Sequence, residues 1–453
     1  MKQVIINQVC RAGSTSIKEI ELGGKIINTI GTLPKLQSRS DIELFFGRKS
    51  KVPTFDGVVL DLCSLHDISR SLFVGEGQRR LDDNEIAVTR EKLLMDEKAI
   101  FIDPNSEEYH YPLMIRKEKI TGNSRSRLDS ILSLQKYPSA VKAVFIGHRG
   151  DTAWRELESK KLLLSYVDWY VQHCLKYRAS IILPPSPLVD GRKSMMLGVL
   201  KSVNATCQEI TRNTTEAYPA TYIPIKSDAF LDDKAPQRIV DTISDLLRPH
   251  SILALKFYRT EDMLHQVMAR RRLRQFLIAI DVLKKEYHES VAVMVLDTRA
   301  EGLAYFGSGV DLTCDPLGGI QDRPKRRKKT NQIKDDECDE PENFGRYGKW
   351  YHPELRDYLL FAQVRSILND SGRLPHSCQF CDDLGDSLTK EQDEPGFPMA
   401  DQWNKGRRFH NFICRQEEDA TIRDSVIEGE MRAVELFLRR ETRADKNLLD
   451  ILP

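Results

Sequence analysis

Residues 251–297 read SILALKFYRTEDMLHQVMARRRLRQFLIAIDVLKKEYHESVAVMVLD. The two ends, SILALKF (251–257) and VAVMVLD (291–297), are short, apolar and rich in β-branched side chains. Runs this uniformly apolar suit strands buried on both faces, as in a parallel sheet. Between them apolar residues recur every three or four positions, the spacing of one face of a helix. The stretch therefore reads as strand, helix, strand.

The same rhythm extends outward in both directions. Six further runs have the character of buried strands: GVVLDLC (57–63), KAIFIDP (98–104), AVFIGHR (143–149), SIILPPS (180–186), TYIPIKS (221–227) and GVDLTCD (309–315). Helical periodicity marks ELESKKLLLSYVDWYVQHCLKY (156–177) and RIVDTISDLL (238–247). Eight strands with intervening helices count out an α/β chain folded as a (β/α)8 TIM-type barrel. A doubly wound open sheet is the competing topology, because a strand count does not show closure. The expected organisation is an N-terminal extension or barrel cap over 1–50, the barrel over 51–322, a charged loop over 323–349 and a zinc-binding helical subdomain over 350–453. In a barrel the residues that end the strands face the site. Here these are Asp61, Asp103, His148, Lys226, Asp297 and Asp315. A helix N-cap or a loop ion pair is the plainer reading of each.

Bulk properties narrow the function classes. Apolar residues are 40% and charged residues 30% of 453, enough for a sizeable core. Lys and Arg (68) balance Asp and Glu (67), so affinity for nucleic acid must come from local patches. No run approaches the roughly 18–20 apolar residues of a membrane span. The opening MKQVIINQVCRAGST has no long apolar run, so no secretory signal is expected. Nine cysteines, an odd number and mostly scattered, fit a reducing cytoplasm better than a disulfide framework. A homodimer is compatible with all of this. One local patch stands out at Lys325, Arg326, Arg327, Lys328 and Lys329, followed by an acidic run. It reads either as a solvated loop or as an arm that contacts phosphates.

Chemistry concentrates in LPHSCQFCDD (374–383) and RRFHNFICR (407–415). Two thiolates spaced Cys-x-x-Cys reach one tetrahedral ion, and Cys378 and Cys381 have that spacing. His410 and Cys414 are four apart and share a helix face, while His376 competes as a further ligand. A thioredoxin-type redox pair fits less well, since no strand precedes the motif in a βαβ setting. Unlinked buried thiols are the remaining reading.

These residues resemble the C-terminal part of the tRNA-guanine transglycosylase superfamily. That family carries a Cys-x-Cys-x-x-Cys turn, then a His-Asn pair, then a closing helix. This chain has His376-x-Cys378-x-x-Cys381, the pair His410-Asn411, and IRDSVIEGEMRAVELF (422–437). His376 stands where the family has its first Cys. Upstream, Gly309, Val310 and Asp311 are similar to the Gly-Val-Asp segment that precedes the family's nucleophilic aspartate. Counting without a gap brings Cys314 to the nucleophile's position and Asp315 one residue later. The family's Asp-Ser-Gly-Gly-Phe stretch after the third strand is absent, as is its Gly-Gly-Leu-Ala-Val-Gly run after the sixth, where LALKFYRTED stands. The resemblance covers about the last third of the chain.

It implies exchange of guanine in a polynucleotide, tRNA or DNA, for a 7-deazaguanine such as preQ0. The reaction would pass through an aspartyl–sugar link, with Asp315 as nucleophile. Asp151 and Asp61 are the candidates for the second carboxylate. It also implies a structural Zn2+ on His376, Cys378, Cys381 and His410, with Cys414 as the alternative ligand. The competing functions are a non-catalytic nucleic-acid-binding homologue or subunit, and an unrelated barrel hydrolase or lyase.

Overall fold

Nine parallel strands form one continuous sheet that nearly closes on itself. In this computed structural model the described residues are 4–36, 55–62, 98–104, 137–148, 150–177, 179–212, 217–258, 266–298, 301–316, 350–354, 357–359, 361–374, 376–378, 381–382, 397–440 and 451–452. The charged segment with Lys325, Arg326, Arg327, Lys328 and Lys329 lies outside them.

Three strands open the chain as an antiparallel sheet: β1 (Ile5–Ala12), β2 (Thr15–Leu22) and β3 (Lys25–Asn28). The barrel strands follow as β4 (Gly31–Leu36), β5 (Gly57–Asp61), β6 (Ala99–Asp103), β7 (Ile181–Ile182), β8 (Tyr218–Pro219), β9 (Thr221–Lys226), β10 (Ser251–Tyr258), β11 (Val291–Leu296) and β12 (Leu312–Pro316). Their lateral order is β8-β7-β6-β5-β4-β12-β11-β10-β9. Only Ala220 separates β8 from β9, so the two ends of the row are one segment of chain. The Ala220 amide donates to Ile182 O at 3.0 Å, and Val189 bridges to Ile225. These contacts draw the sheet round, and with β8 and β9 taken as one interrupted strand it has the eight staves of a TIM-type barrel. The open-sheet alternative is overturned by this curvature.

One of the eight expected strands is absent and one stave was unexpected. Residue 149 lies outside the described residues, and residues 143–147 do not form a strand. They fall in helix α1 (Ser139–Gly147), which buries Val141, Val144 and Phe145 at helical spacing. The missing stave is β4, so the barrel begins at residue 31 rather than 51. Its sequence GTLPKL carries Pro34 and Lys35, which weaken any strand signal.

Alternation along the staves divides the core in two. Leu33, Val59, Phe101, Ala254, Met294 and Leu312 fill the interior, and Ile20, Leu22 and Ile27 of the first sheet pack onto the same cluster. The opposite parity packs outward against helices α2 (Gly150–Ser159), α3 (Leu163–Lys176), α4 (Ser194–Arg212), α5 (Ala235–Leu246), α6 (Val267–Glu286) and α7 (Gly302–Gly307). The chain then forms a hairpin, β13 (Trp350–His352) and β14 (Asp357–Leu359), followed by α8 (Phe361–Ser371), α9 (Phe397–Ile427) and α10 (Ala433–Arg440).

Helix α9 takes the place of a helix closing the barrel beside β12. It runs antiparallel to β4. Asp419 accepts the Thr32 amide at 2.6 Å, and Arg423 donates to Ile30 O at 2.9 Å. Arg415, one turn earlier, lies against Gly302, where even a Cβ would come within 2.9 Å of its Nη2. His410 lies five residues before Arg415, about 7.5 Å further along the axis. Between them Phe412 packs edge-on against Phe55, just ahead of β5.

Candidate metal centre and barrel-mouth charge ring

The turn after α8 is built by backbone geometry. Gly372 takes a left-handed φ of +71° and its amide caps Leu368 O at 2.8 Å, which ends the helix. Further on, the amides of Cys381 and Asp382 both donate to Cys378 O, at 2.9 and 3.0 Å. This tight turn brings Cys378 Sγ and Cys381 Sγ to 3.4 Å. From α9, His410 Nδ1 lies 3.0 Å from Cys381 Sγ and 3.7 Å from Cys378 Sγ. With His376, the four donor atoms lie within 4.8 Å of one another. Cys414 Sγ is 3.7 Å from His410 Nδ1 but is not one of these four.

The surroundings select which nitrogen faces the centre. Tyr351 O lies 2.6 Å from His410 Nε2; a carbonyl only accepts, so Nε2 carries the proton and Nδ1 is left as the ligand. Trp350 stacks on the same imidazole at 4.2 Å. The neighbouring Asn411 accepts the Tyr351 amide at 2.8 Å. Two consecutive residues thus clip β13 to α9, which explains the His-Asn pair in physical terms. His376 Nε2 contacts the Glu417 carboxylate at 2.8 Å, and its buried Nδ1 has no hydrogen-bond partner among the described residues. That orphaned atom, two nearby sulfurs and a second imidazole are a donor set that fits a metal ion. Two sulfurs this close do not both ionise unaided. The Cys381 hydrogen bond pulls the Cys378 thiol down, while the Cys378 sulfur and burial push Cys381 up. A bound cation would remove the conflict.

A second constellation lies inside the barrel. Lys35 of β4, Lys256 of β10 and Asp103 of β6 share the inward parity of Leu33, Ala254 and Phe101. Asp297 follows β11 in the left-handed conformation, φ +57°. Lys35 Nζ lies 2.6 Å from Asp103 Oδ2 and 2.6 Å from Asp297 Oδ1. Lys256 Nζ lies 3.1 Å from Asp103 Oδ2 and 3.1 Å from Asp297 Oδ2. The two cations and two anions alternate in a ring. Three of the side chains are fully buried and Asp297 is 7% exposed. Burial alone would raise the Asp103 carboxyl, but Lys256 and Lys35 outweigh it and hold the group below its ordinary value.

The residues named from the sequence fall differently. Asp103 and Asp297 meet in this ring; Lys35 and Lys256, its cations, were not singled out. The available signal was a lysine at inward parity in an otherwise apolar strand. Asp61 pairs in register with Asp103, and its side chain lies outside the described residues. Asp151 does not follow a strand. It sits in the first turn of α2 and forms an ion pair with Lys193. His148 caps α1, and Lys226 pairs with Asp228 at 3.2 Å. On β12 the inward residue is Cys314, packed with the lumen side chains. Asp315 has the outward parity and acts on Arg415 of α9, as do Glu418 and Asp419. These three carboxylates outweigh burial and keep Arg415 charged. Asp311 sits at the opposite end of the barrel. It accepts the Val293 amide at 2.7 Å and pairs with Lys284 at 2.9 Å and Lys18 at 3.5 Å. Its role is to fasten β2 to the barrel base.

Comparison with protein-family models and with curated proteins finds no match. No helix among the described residues is long and apolar enough to cross a membrane.

Proposed function

We propose that the protein exchanges a guanine base in a polynucleotide, DNA or tRNA, for a 7-deazaguanine such as preQ0 through an aspartyl–sugar intermediate. One observation carries this reading. Lys35 Nζ lies 2.6 Å from an oxygen of Asp103 and of Asp297, which keeps those oxygens within roughly 5 Å, the separation suited to double displacement at a sugar carbon. Asp297, the ring member with residual exposure, takes the nucleophile's role in place of Asp315. Asp103 takes the second carboxylate's role in place of Asp151 or Asp61.

The Asp297 carboxylate forms a bond to the anomeric carbon as the bond to guanine breaks, through an oxocarbenium-like transition state. The bonding pair leaves with guanine, which takes up a proton. The incoming base loses a proton as its nitrogen displaces the aspartate, so the cycle is proton-neutral. Guanine takes its proton from solvent, and the ionised Asp103 accepts the proton that the incoming base loses and returns it to solvent. The target nucleotide must leave its stack to reach such a buried site. An ion held by His376, Cys378, Cys381 and His410 would be zinc, from the two sulfurs and two imidazoles. With four protein ligands it would be structural, tying the turn of Cys378 and Cys381 to α9.

Metal-replete protein incubated with radiolabelled guanine and either tRNA or duplex DNA should transfer label into one polymer, in competition with unlabelled preQ0. Asp297→Asn, which tolerates the left-handed backbone, should abolish transfer while the protein remains folded. Absence of label from both polymers overturns the reading. A second reading, a non-catalytic nucleic-acid-binding homologue, is favoured by Cys314 at the nucleophile's position; binding of either polymer without exchange would support it.

A further inference from the structure

The ring contains two groups that the chemistry above does not use, the buried ammonium ions of Lys35 and Lys256. A buried lysine that touches two carboxylates changes what those carboxylates can do. Two aspartates this close in a low-dielectric lumen repel, and one of them ordinarily takes up a proton, as in an acid dyad. A protonated aspartate does not attack a sugar carbon. Lys35 has the shorter contacts of the two lysines, 2.6 Å to each carboxylate against 3.1 Å for Lys256. It also stands on the stave next to β12, and its charge acts on the inward Cys314 thiol.

We propose that Lys35 is a positioning residue that keeps Asp103 and Asp297 both ionised and mutually oriented in the unliganded enzyme. The assignment rests on the reading of those aspartates as the reacting carboxylates. Among the described residues, the charged groups that act on Asp103 include Lys35 from β4, Lys256 from β10 and Asp297 after β11. The Tyr170 hydroxyl from α3 and the Cys314 thiol from β12 lie in its field, and burial raises both, so neither adds a charge of its own. The outward Asp315 acts on Cys314, and Asp61 pairs with Asp103 in register. Among the described residues, these two lysines are the cations that touch both aspartates, and Lys35 makes the shorter contact to each.

Carboxyl-carbon NMR of 13Cγ-aspartate protein, assigned from the Asp103→Asn and Asp297→Asn spectra, reads the two groups directly. In the native protein both should stay ionised until the pH falls below the ordinary carboxylate range, about 4. In Lys35→Met one of the two should titrate at least one pH unit higher, equivalent to a tenfold change in its proton affinity. Lys35→Arg should restore the native titration. In the exchange assay the acid limb of kcat/KM should move upward by the same amount in Lys35→Met, with KM for the polynucleotide unchanged. The double variant Lys35→Met/Asp103→Asn leaves one lysine with one aspartate, so Asp297 there should titrate as in the native protein even if Lys35→Met does not fold. Unchanged carboxyl titration in Lys35→Met, or a raised Asp297 titration in the double variant, overturns the proposal. If the native protein shows no exchange, the function above falls while the NMR titration still decides the role of Lys35.

Discussion

Lys256 shows how charge is carried in the interior at the scale of one residue. Its ammonium is fully buried and touches Asp103 and Asp297 at 3.1 Å each. Buried ion pairs are weak sources of net stability, but removing one partner strands the other charge in a low dielectric. Lys256→Met should therefore cost about 3–5 kcal/mol at neutral pH, read from denaturant midpoints. The sign of the pH dependence follows from Asp103, whose carboxyl the two lysines hold below its ordinary value. A depressed carboxylate contributes its full stability above the unfolded value of about 4, and loses it as the pH falls through the folded one. The penalty of Lys256→Met should therefore shrink as the pH is lowered through that window. A penalty that stays constant into strong acid would show that the methylene stem, not the charge, matters at this position.

At the scale of elements, the C-terminal lobe depends on a few clips between β13 and α9. Its apolar cluster is small, formed by Trp350, Leu359, Val364, Leu368, Leu374 and Cys381. A metal ion held by His376, Cys378, Cys381 and His410 would add a further tie to so small a core. Cys378→Ser should lower metal content, measured on the purified protein by plasma mass spectrometry. It should also raise hydrogen exchange in β13 and the first half of α9, leaving the barrel strands protected. Asn411→Ala removes the acceptor for the Tyr351 amide without removing a ligand. Through this outer contact it should weaken metal affinity by about 10–100-fold in a chelator competition. Equal affinity in Asn411→Ala would show that the clip serves packing alone.

Across the whole molecule, the barrel separates its tasks between its two ends. The base holds a purely structural charge network in which Lys18, Lys284, Glu289 and Asp311 join the first sheet to β11 and β12. The Lys284 ammonium is lowered by burial, which its carboxylate partner only partly offsets. Asp311→Asn should destabilise the fold by about 3–5 kcal/mol in thermal or chemical unfolding, because it leaves two buried lysines poorly compensated. Metal content should be unaffected, since Asp311 is not one of the four candidate ligands. The rim carries the Lys–Asp ring. This division matches the general behaviour of such barrels, in which strand C-termini serve function and strand N-termini serve stability.

Local patterning was enough to determine seven of the staves, the helices between several of them and the His/Cys cluster that could hold a metal, because each depends on spacing within a short segment. Cys-x-x-Cys fixes two donors by itself, and His410 lies in a helical stretch whose register is plain. The first stave escaped because Pro34 and Lys35 interrupt its apolar pattern, and its identity as a strand depends on pairing with β12 and β5 from distant parts of the chain. The false stave at 143–149 failed for the opposite reason: a short apolar run is ambiguous between strand and buried helix until its neighbours choose. Asp315 and Cys314 are adjacent, and a single step of strand parity decides which enters the lumen. The charge ring was beyond any local reading. Lys35, Asp103, Lys256 and Asp297 are spread over more than half of the chain, and only closure of the sheet brings their side chains to a common point where burial makes each charge depend on the others.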